Sequence, residues 1–425
     1  MKGVVLAAGE GVRLQPITAT RPKHLIKIAG RPILEFCLEA LKASGITEVI
    51  VVTHYMGDAI RQFFGDGERL GLKIAYVEQA EMLGTGNAVS VVEPYVDGNF
   101  VLVYGDLMFS SDAVADVVSL FEAENPAAVI AAVPEDKLES YGVVELEKGN
   151  VVKRIIEKPA SGEAPSNLAN AGVYAFSKDV FEKLRQTKAS VRGEWEITDA
   201  LSLLIENGKT VLAAEISKDD WLDIGRPWDL LEANICALRR MAHRVYGKVE
   251  NGAHLIGPVT VAETARIRSG AYIEGPCFID EGSDIGPNCY IRPCTSVGKN
   301  VRIGNACEVK NSIIMDGTHV GHLSYVGDSI MCERCNLAAG TITANLRLDD
   351  GHVKMLVKGK VVDTGRRKLG AVLGDDVKTG INALLMPGVK VGIKSWVGAN
   401  FTVNRDLPAN TVALFQQDKG REKSK

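Results

Sequence analysis

Near its start the chain carries residue types suited to holding phosphate. Gly9 and Gly11 lie in the turn Leu6-Ala7-Ala8-Gly9-Glu10-Gly11-Val12-Arg13. Glycines let the backbone approach a ligand closely, and successive N–H groups in such a turn cradle phosphoryl oxygens. Arg13 keeps its charge and can grip a phosphoryl group with two parallel hydrogen bonds, while Lys23, after Pro22, adds a point cation. A Gly-x-Gly turn alone is as well explained by ordinary turn geometry; Arg13 and Pro22-Lys23 make the pattern specific. Asp106 and Asp223 stand just past other short apolar runs. Each has a plainer reading as a helix cap, yet their shared placement with Gly9 and Gly11 marks a site.

Elements that put such residues together follow from the periodicity. Lys2–Ala7, Val49–Thr53, Lys73–Val77 and Phe100–Tyr104 read as short strands; Pro32–Ser44 and Asp58–Phe64 carry apolar residues at helical spacing. This alternation predicts an open, mostly parallel α/β sheet of Rossmann-like type, which binds ligands beyond the carboxyl ends of its strands. Arg226 to Val245 reads as one amphipathic helix closing this domain.

Beyond it the period changes. Val261, Ile267, Ile273, Ile279, Ile285, Ile291, Val297, Ile303 and Val309 fall six residues apart, with small or β-branched residues two places before each. The series resumes near Val320 and Val326, and again through Leu373, Leu385, Val391, Val397 and Val403. One short strand and one corner per six residues predict a parallel β-helix, a prism with apolar side chains inside. Leu346 to Leu369 breaks the pattern and should leave the coil as a loop. Cys277, Cys289 and Cys307 fall in the small inward slot and read as core filler; Cys332 and Cys335 form a CxxC with no second pair at zinc-like spacing.

A chain of 425 residues with 46% hydrophobic and 24% charged residues can bury a sizeable core, which excludes a mostly disordered protein. A net charge of −4 gives no global basic field for nucleic acid or anionic membrane. The richest apolar run, Ala127 to Val133, has only a strand's length, and MKGVVLAAGEG does not read as a signal peptide. Eight cysteines without framework spacing fit a reducing cytoplasm, the expected location.

The first half resembles the sugar-1-phosphate nucleotidylyltransferases, which join a nucleoside triphosphate to a sugar 1-phosphate and release pyrophosphate. The likeness runs through the glycine turn with Arg13 and Lys23, then Gln79 before Leu83-Gly84-Thr85-Gly86, then Tyr104-Gly105-Asp106. Tyr141-Gly142, Glu157-Lys158-Pro159, Asn170-Ala171-Gly172 and Trp221-Leu222-Asp223 follow in order. The resemblance implies that Leu6, Ala7, Ala8, Gly9, Gly11, Gln79, Gly84 and Thr85 bind the nucleotide. It implies Gly142, Glu157, Lys158 and Asn170 for the sugar phosphate. Asp106 and Asp223 would hold Mg²⁺, a hard cation that prefers carboxylate and phosphate oxygens. Arg13 and Lys23 would be catalytic, stabilising charge on the transferring and leaving phosphates. Val12 stands where the family often has Thr or Ser, and Asp223 in its Trp-Leu-Asp setting looks nearer the thymidylyltransferase branch.

The second half resembles the acetyltransferase domain of bifunctional GlmU-type enzymes, on the run from Glu308-Val309-Lys310 through Gly321-His322-Leu323-Ser324-Tyr325 to Gly340-Thr341-Ile342-Thr343-Ala344-Asn345. That likeness makes the β-helix left-handed and the assembly a homotrimer. It implies Arg292 and Lys310 as binders of the sugar phosphate, and Tyr325, Asn336 and Asn345 as guides for the amino sugar. His322 would be the catalytic base, since a histidine near neutral pKa can take the amine proton as the amine attacks a thioester. Gly380 and Ala399 sit where the family contacts acetyl-CoA. The loop rich in Lys354, Lys358, Lys360, Arg366, Arg367 and Lys368 either meets phosphates or is a solvated surface, and Lys419-Gly420-Arg421 is a possible substitute for the family's basic C-terminal segment.

The expected division is a nucleotidylyltransferase domain at 1–230, a linker helix at 231–252, a β-helix acetyltransferase domain at 253–415 and a basic tail at 416–425. Expected substrates are UTP or dTTP, sugar 1-phosphates, and acetyl-CoA with glucosamine or galactosamine 1-phosphate. Two other readings share the plan: a nucleotidylyltransferase with a purely structural β-helix, and a non-enzymatic exchange-factor-like subunit. Intact Arg13, Lys23, Asp106 and Asp223 weigh against the latter, and the Lys310–Asn345 run against the former.

Overall fold

The computed structural model describes residues 1–190 and 193–414, in two compact units. The first holds Met1–Glu10, Arg21–Ile26 and Pro32–Ile224; the second holds Gly11–Thr20, Lys27–Arg31 and Gly225 onward.

In the first unit the apolar runs become β1 (Lys2–Ala7), β2 (Glu48–Thr53), β3 (Lys73–Glu78) and β4 (Phe100–Tyr104). A short β5 (Leu107–Phe109) follows, then β6 (Ala128–Pro134), β7 (Gly142–Leu146), β8 (Val152–Glu157), β9 (Leu168–Phe176), β10 (Val211–Glu215) and β11 (Trp221–Asp223). The main sheet runs β8-β7-β9-β4-β1-β2-β3, with β6 beside β9 and β10 beside β6. Strands alternate their side chains between two cores. Between the strands run α1 (Ile33–Ala43), α2 (Gly57–Phe64), α3 (Thr85–Ser90), α4 (Ser111–Glu124), α5 (Asp179–Gln186) and α6 (Ile197–Glu206). Val5, Val49 and Val101 face α1 and α4, and Val4, Ile50 and Leu102 face the side of Val89, Leu201 and Leu204. The sheet is mixed rather than mostly parallel. Only β1 to β4 and the β6–β10 pair run parallel, while β9 is antiparallel to β4, β6 and β7. Local apolar periodicity carries no information on strand direction, which the return path of β9 decides.

In the second unit α7 covers Pro227–Arg239, shorter than the helix expected to Val245 or the linker at 231–252. The amides of Arg240 and Met241 close the helix on Ala237 and Leu238, and the chain then joins the prism, with Arg244 opposite Thr260 and Lys248 opposite Arg266. By compactness α7 groups with the prism instead of closing the first domain.

The prism is a left-handed parallel β-helix of three sheets, with eight, nine and eight strands among the described residues. Its apolar column fills the interior, and Cys277, Cys289, Cys307 and Cys335 lie buried in it as free thiols. Burial pushes the Cys277 and Cys335 thiols up to about 12, as suits inert filler. Two turns of the coil are short. Ile279 pairs with Val297, eighteen residues on, but Val297 pairs with Ile314 and Ile314 with Met331, each seventeen on. The missing residue lies in the corners Lys310-Asn311-Ser312 and Gly327-Asp328-Ser329. The departing segment 346–369 is more than a loop: Lys354–Val357 and Lys360–Asp363 form a hairpin, and Leu346 bridges Lys368 where the segment leaves and returns. The basic tail at 416–425, with Lys419 and Arg421, lies outside the described residues.

Candidate functional sites

In the first unit β1 delivers Leu6, Ala7 and Ala8 to the sheet end. The Leu6 carbonyl accepts from the Gly105 amide at 2.9 Å and that of Ala8 from Tyr55 at 3.3 Å. A Cβ on Gly9 would meet the Lys23 side chain at 3.3 Å, so the glycine makes room for the lysine. Lys23 Nζ forms a close ion pair with Asp106 Oδ2.

The second carboxylate reaches the same place through a two-stranded ribbon. β5 starts just after Asp106 and pairs antiparallel with β11, setting Asp223 opposite Leu107, and the Ile224 amide donates to the Asp106 carbonyl at 3.1 Å. Phe109 and Trp221 bury the far end of the ribbon, and Trp221 Nε1 donates to the Ala171 carbonyl at 2.7 Å. Tyr141, edge-on to Trp221, donates to Asp223 Oδ2 at 3.4 Å. Two hard oxygen donors with a cation already resting on one of them suit Mg²⁺. No group of three or more His, Cys, Asp or Glu able to hold a metal occurs among the described residues, so water and phosphate oxygens would complete its shell.

His24, Cys37, Tyr104 and Tyr174 are held neutral. Burial, then the neighbouring Lys23 charge, pushes His24 down to about 3, and neither of its ring nitrogens meets a hydrogen-bond partner. Burial and Asp106 raise the Cys37 thiol, and burial raises the Tyr104 and Tyr174 phenols.

Gln79 is buried, with Nε2 donating to the Gly84 carbonyl at 3.2 Å and to Asn87 Oδ1 at 2.8 Å. Gly84 has φ +111°, and a Cβ there would stand 2.5 Å from the Trp195 carbonyl oxygen. Thr85 Oγ1 accepts from the Ile197 amide at 3.0 Å. On the sugar side Glu157 pairs across the sheet with Gly142, accepts from Thr198 Oγ1 at 3.1 Å and lies 3.3 Å from Lys158 Nζ. Asn170 Nδ2 donates to the Tyr174 hydroxyl at 2.7 Å, which lies 3.1 Å from that of Tyr104. Trp195, Thr198 and Tyr174 escaped the sequence reading, and Tyr104 entered it only as a strand end before Gly105-Asp106, because each supports a site residue through contacts that only the fold creates.

Gly11 and Arg13 belong to the second unit. Gly11 is left-handed at φ 69°, its carbonyl accepting from the Leu14 amide and from Thr18 Oγ1, both at 2.9 Å. The Arg13 guanidinium lies so near Gly225 that a Cβ there would be 2.9 Å from Nη2.

Along the prism, the short corners gather a cluster around Asp328, whose side chain is only 4% exposed. Lys310 Nζ lies 3.4 Å from Asp328 Oδ2, Asn345 Nδ2 donates to the same oxygen, and Asn311 Nδ2 donates to Oδ1 at 2.7 Å. Asn345 Nδ2 also reaches the Tyr325 hydroxyl at 3.1 Å. Arg292 bonds Glu308 at 2.9 Å and lies over the Tyr290 ring. Lys310, Tyr325 and Asn345 therefore come together, with Asp328 as the hub that sequence reasoning left without a role. The two five-residue steps, Val309 to Ile314 and Val326 to Met331, were the signal. His322, exposed, pairs with Asn305 before the third face begins, at the corner opposite the Asp328 cluster. Asn336 pairs with His319 rather than joining Tyr325. Gly380 follows Thr379, which pairs with Val397, and a Cβ on Gly380 would stand 2.5 Å from the Ala399 amide.

The nucleotidyl transferase family matches residues 2–239, and the GMPPB C-terminal domain family matches residues 273–391. Over 98% of both chains the protein is 44% identical to the bifunctional protein GlmU of Methanococcus maripaludis strain S2, and 42% identical to that of Methanocaldococcus jannaschii. A bifunctional sugar-1-phosphate nucleotidylyltransferase/acetyltransferase of Sulfurisphaera tokodaii is 40% identical over 96% of this chain and 98% of its own. The solved structure of a UDP-glucose pyrophosphorylase complexed with UDP-glucose is similar at a TM-score of 0.52 and 27% identity, covering 56% of this chain and 98% of that one. By these matches the chain belongs to the nucleotidyl transferase family and, within it, to the bifunctional GlmU-type proteins. It is an enzyme with two activities, nucleotidyl transfer and acetyl transfer. No helix among the described residues is long and apolar enough to cross a membrane.

Proposed function

We propose that the first site transfers UMP or dTMP from the triphosphate to N-acetylglucosamine 1-phosphate or a related sugar 1-phosphate, releasing pyrophosphate. The β5–β11 ribbon carries this reading, because it brings the Asp223 backbone beside that of Asp106, whose carboxylate holds Lys23. Asp106 and Asp223 would hold Mg²⁺, which when bound neutralises phosphate charge. Lys23 and Arg13 stabilise charge on the transferring and leaving phosphates, and little covalent help is needed for in-line attack on the α-phosphorus. Gly9, Gly11 and the chain from Leu6 to Ala8 carry the nucleotide backbone contacts. Gln79, Gly84 and Thr85 read the base, and Gly142, Glu157, Lys158 and Asn170 seat the sugar phosphate.

At the second site acetyl-CoA acetylates glucosamine 1-phosphate or galactosamine 1-phosphate. Arg292 and Lys310 bind the phosphate, Tyr325, Asn336 and Asn345 orient the amino sugar, and His322 takes the amine proton. Gly380 and Ala399 line the path for acetyl-CoA. His322 and the Lys310 cluster stand at opposite corners of the third face, which supports a homotrimer in which neighbouring prisms complete each site. The cytoplasm is the proposed location.

The match of residues 273–391 to the GMPPB C-terminal domain favours, as a second reading, a β-helix that only scaffolds. Thiol release from acetyl-CoA, with either amino sugar phosphate, separates the two. Release by wild type, lost in His322→Ala while nucleotidyl transfer persists, supports the second site; no release by either protein leaves the scaffold. Asp223→Ala should abolish only nucleotidyl transfer.

A further inference from the structure

The stretches that flank Lys23 in the chain, Gly11–Thr20 and Lys27–Arg31, are pinned within the second unit at three points. Thr20 Oγ1 donates to Asp375 Oδ2 at 2.9 Å. Lys27 Nζ pairs with Asp316 Oδ2 at 2.7 Å. The Ala29 amide donates to Oδ1 of Asn234 at 2.9 Å, and Nδ2 of that fully buried asparagine donates onward to the Cys294 carbonyl at 3.1 Å. The next residue, Gly30, has φ +79°, and a Cβ on it would stand 2.3 Å from the Phe278 ring.

The prism side of these pins is rigid. Asp375 is 2% exposed and already accepts from the Glu333 amide at 3.0 Å and from Arg334 at 3.3 Å. Asp316 accepts from the Lys299 amide at 2.9 Å, and its carbonyl accepts from the Arg334 amide at 3.0 Å. Both carboxylates thus stand at one corner, two turns of the coil apart with Glu333 on the turn between, fixed by bonds that owe nothing to Thr20 or Lys27. Helix α7 contributes at its middle and through the turn just before its start. Asn234 holds Ala29, and the turn at Gly225, whose amide donates to Asp229 at 3.2 Å, gives the Arg13 guanidinium its seat.

We infer that this corner of the β-helix, with helix α7, sets the position of the Arg13 loop, so that Asp316, Asp375 and Asn234 are positioning residues for nucleotidyl transfer. The β-helix then serves the first reaction as well as the second. A charged group that meets phosphate must be held to within a fraction of an ångström, since a shift of ~1 Å costs as much as ~10²-fold in rate. The inference rests on the proposed role of Arg13, and the test separates the two.

Steady-state nucleotidyl and acetyl transfer are measured on the full chain for Arg13→Ala, for Thr20→Val/Lys27→Met, for the triple variant, and for Lys27→Arg. Arg13→Ala should lower nucleotidyl kcat by ~10²-fold, the loss typical of removing one charge-stabilising donor. Thr20→Val/Lys27→Met should lower it about tenfold with the KM for sugar phosphate and the acetyl rate unchanged, as expected for partial misplacement. Lys27→Arg should keep most of the wild-type rate. In the triple variant the pins should add no loss beyond that of Arg13→Ala, because they act through that side chain. Nucleotidyl transfer within twofold of wild type in Thr20→Val/Lys27→Met, beside a crippled Arg13→Ala, would overturn the anchoring. So would a loss that multiplies with Arg13→Ala. A wild-type rate in Arg13→Ala would instead remove the role of Arg13 and the anchoring with it.

Discussion

The sheet of the first unit and the prism of the second assemble polar clusters by opposite routes. In the sheet, Asp106 and Asp223 come from distant parts of the chain and meet because a separate ribbon, β5 with β11, is laid beside the strand ends. In the prism, Lys310, Asp328 and Asn345 are nearly periodic neighbours on successive turns, and the corner they share is drawn tight by the loss of one residue per turn. A sheet makes a site by adding an element; a coil makes one by breaking its own count. The carboxylates differ accordingly. Asp106 keeps 16% of its side chain exposed, with Lys23 on one oxygen, whereas Asp328 is buried and meets Lys310, Asn311 and Asn345.

The largest test of that contrast is Asp328→Ala, which leaves Lys310 and two amides facing a gap. It should cost ~3–5 kcal/mol in urea unfolding, as breaking a buried pair does. Asp106→Ala should cost about 1.5–3 kcal/mol, the scale of one hydrogen bond to a charged group. Equal losses would end the contrast. Next, one glycine inserted between Asn311 and Ser312 restores the full count of six at that corner. Acetyl kcat/KM should fall ~10²-fold through misplaced groups while nucleotidyl transfer holds; an unchanged acetyl rate would show that the short corner is incidental. In the sheet, Gly84→Ala forces a Cβ against the Trp195 carbonyl at φ +111° and should destabilise the first unit by about 1–3 kcal/mol. A neutral result by calorimetry would mean that the Gln79 loop is looser than its bonds imply.

A further effect is one of pH. The folded pKa of His24 is lowered to about 3 from the ordinary 6.5, so below pH 6.5 the unfolded chain takes a proton that the folded one refuses. Stability is therefore lost as pH falls through that window, by up to ~1.4 kcal/mol per pH unit. The buried thiols of the prism, at about 12, impose no such acid cost. His24→Leu should flatten the stability curve between pH 6.5 and 4; an unaltered slope would place the acid sensitivity elsewhere.

Much of this architecture was legible before the fold. Six-residue spacing from Val261 to Val309 gave the prism, because its strands repeat with the chain itself. The apolar runs ending at Ala7 and Tyr104 located the glycine turn and Asp106. Strand direction was not legible, since β9 runs against β4, β6 and β7 for reasons of chain return that no local pattern records. Nor was the end of α7, where apolar spacing continues past Arg239 although the backbone is already paired to the coil. The five-residue step from Val326 to Met331 marks a short corner but does not show that Asp328 gathers Lys310, Asn311 and Asn345 there. Thr198 and Trp195 act only through what they touch, and contact is what a sequence omits.

The pinning of Thr20 to Asp375 sets a timetable for synthesis. The two partners are 355 residues apart. At ~5–20 residues per second, the amino-terminal stretch waits on the order of half a minute on the ribosome before its acceptor emerges. The strands on either side of Gly11–Thr20 can pair long before then, so the Arg13 loop is made well before it can find its place. A nascent chain halted before Asp375 would carry a nearly complete nucleotide sheet whose glycine turn is still unmoored.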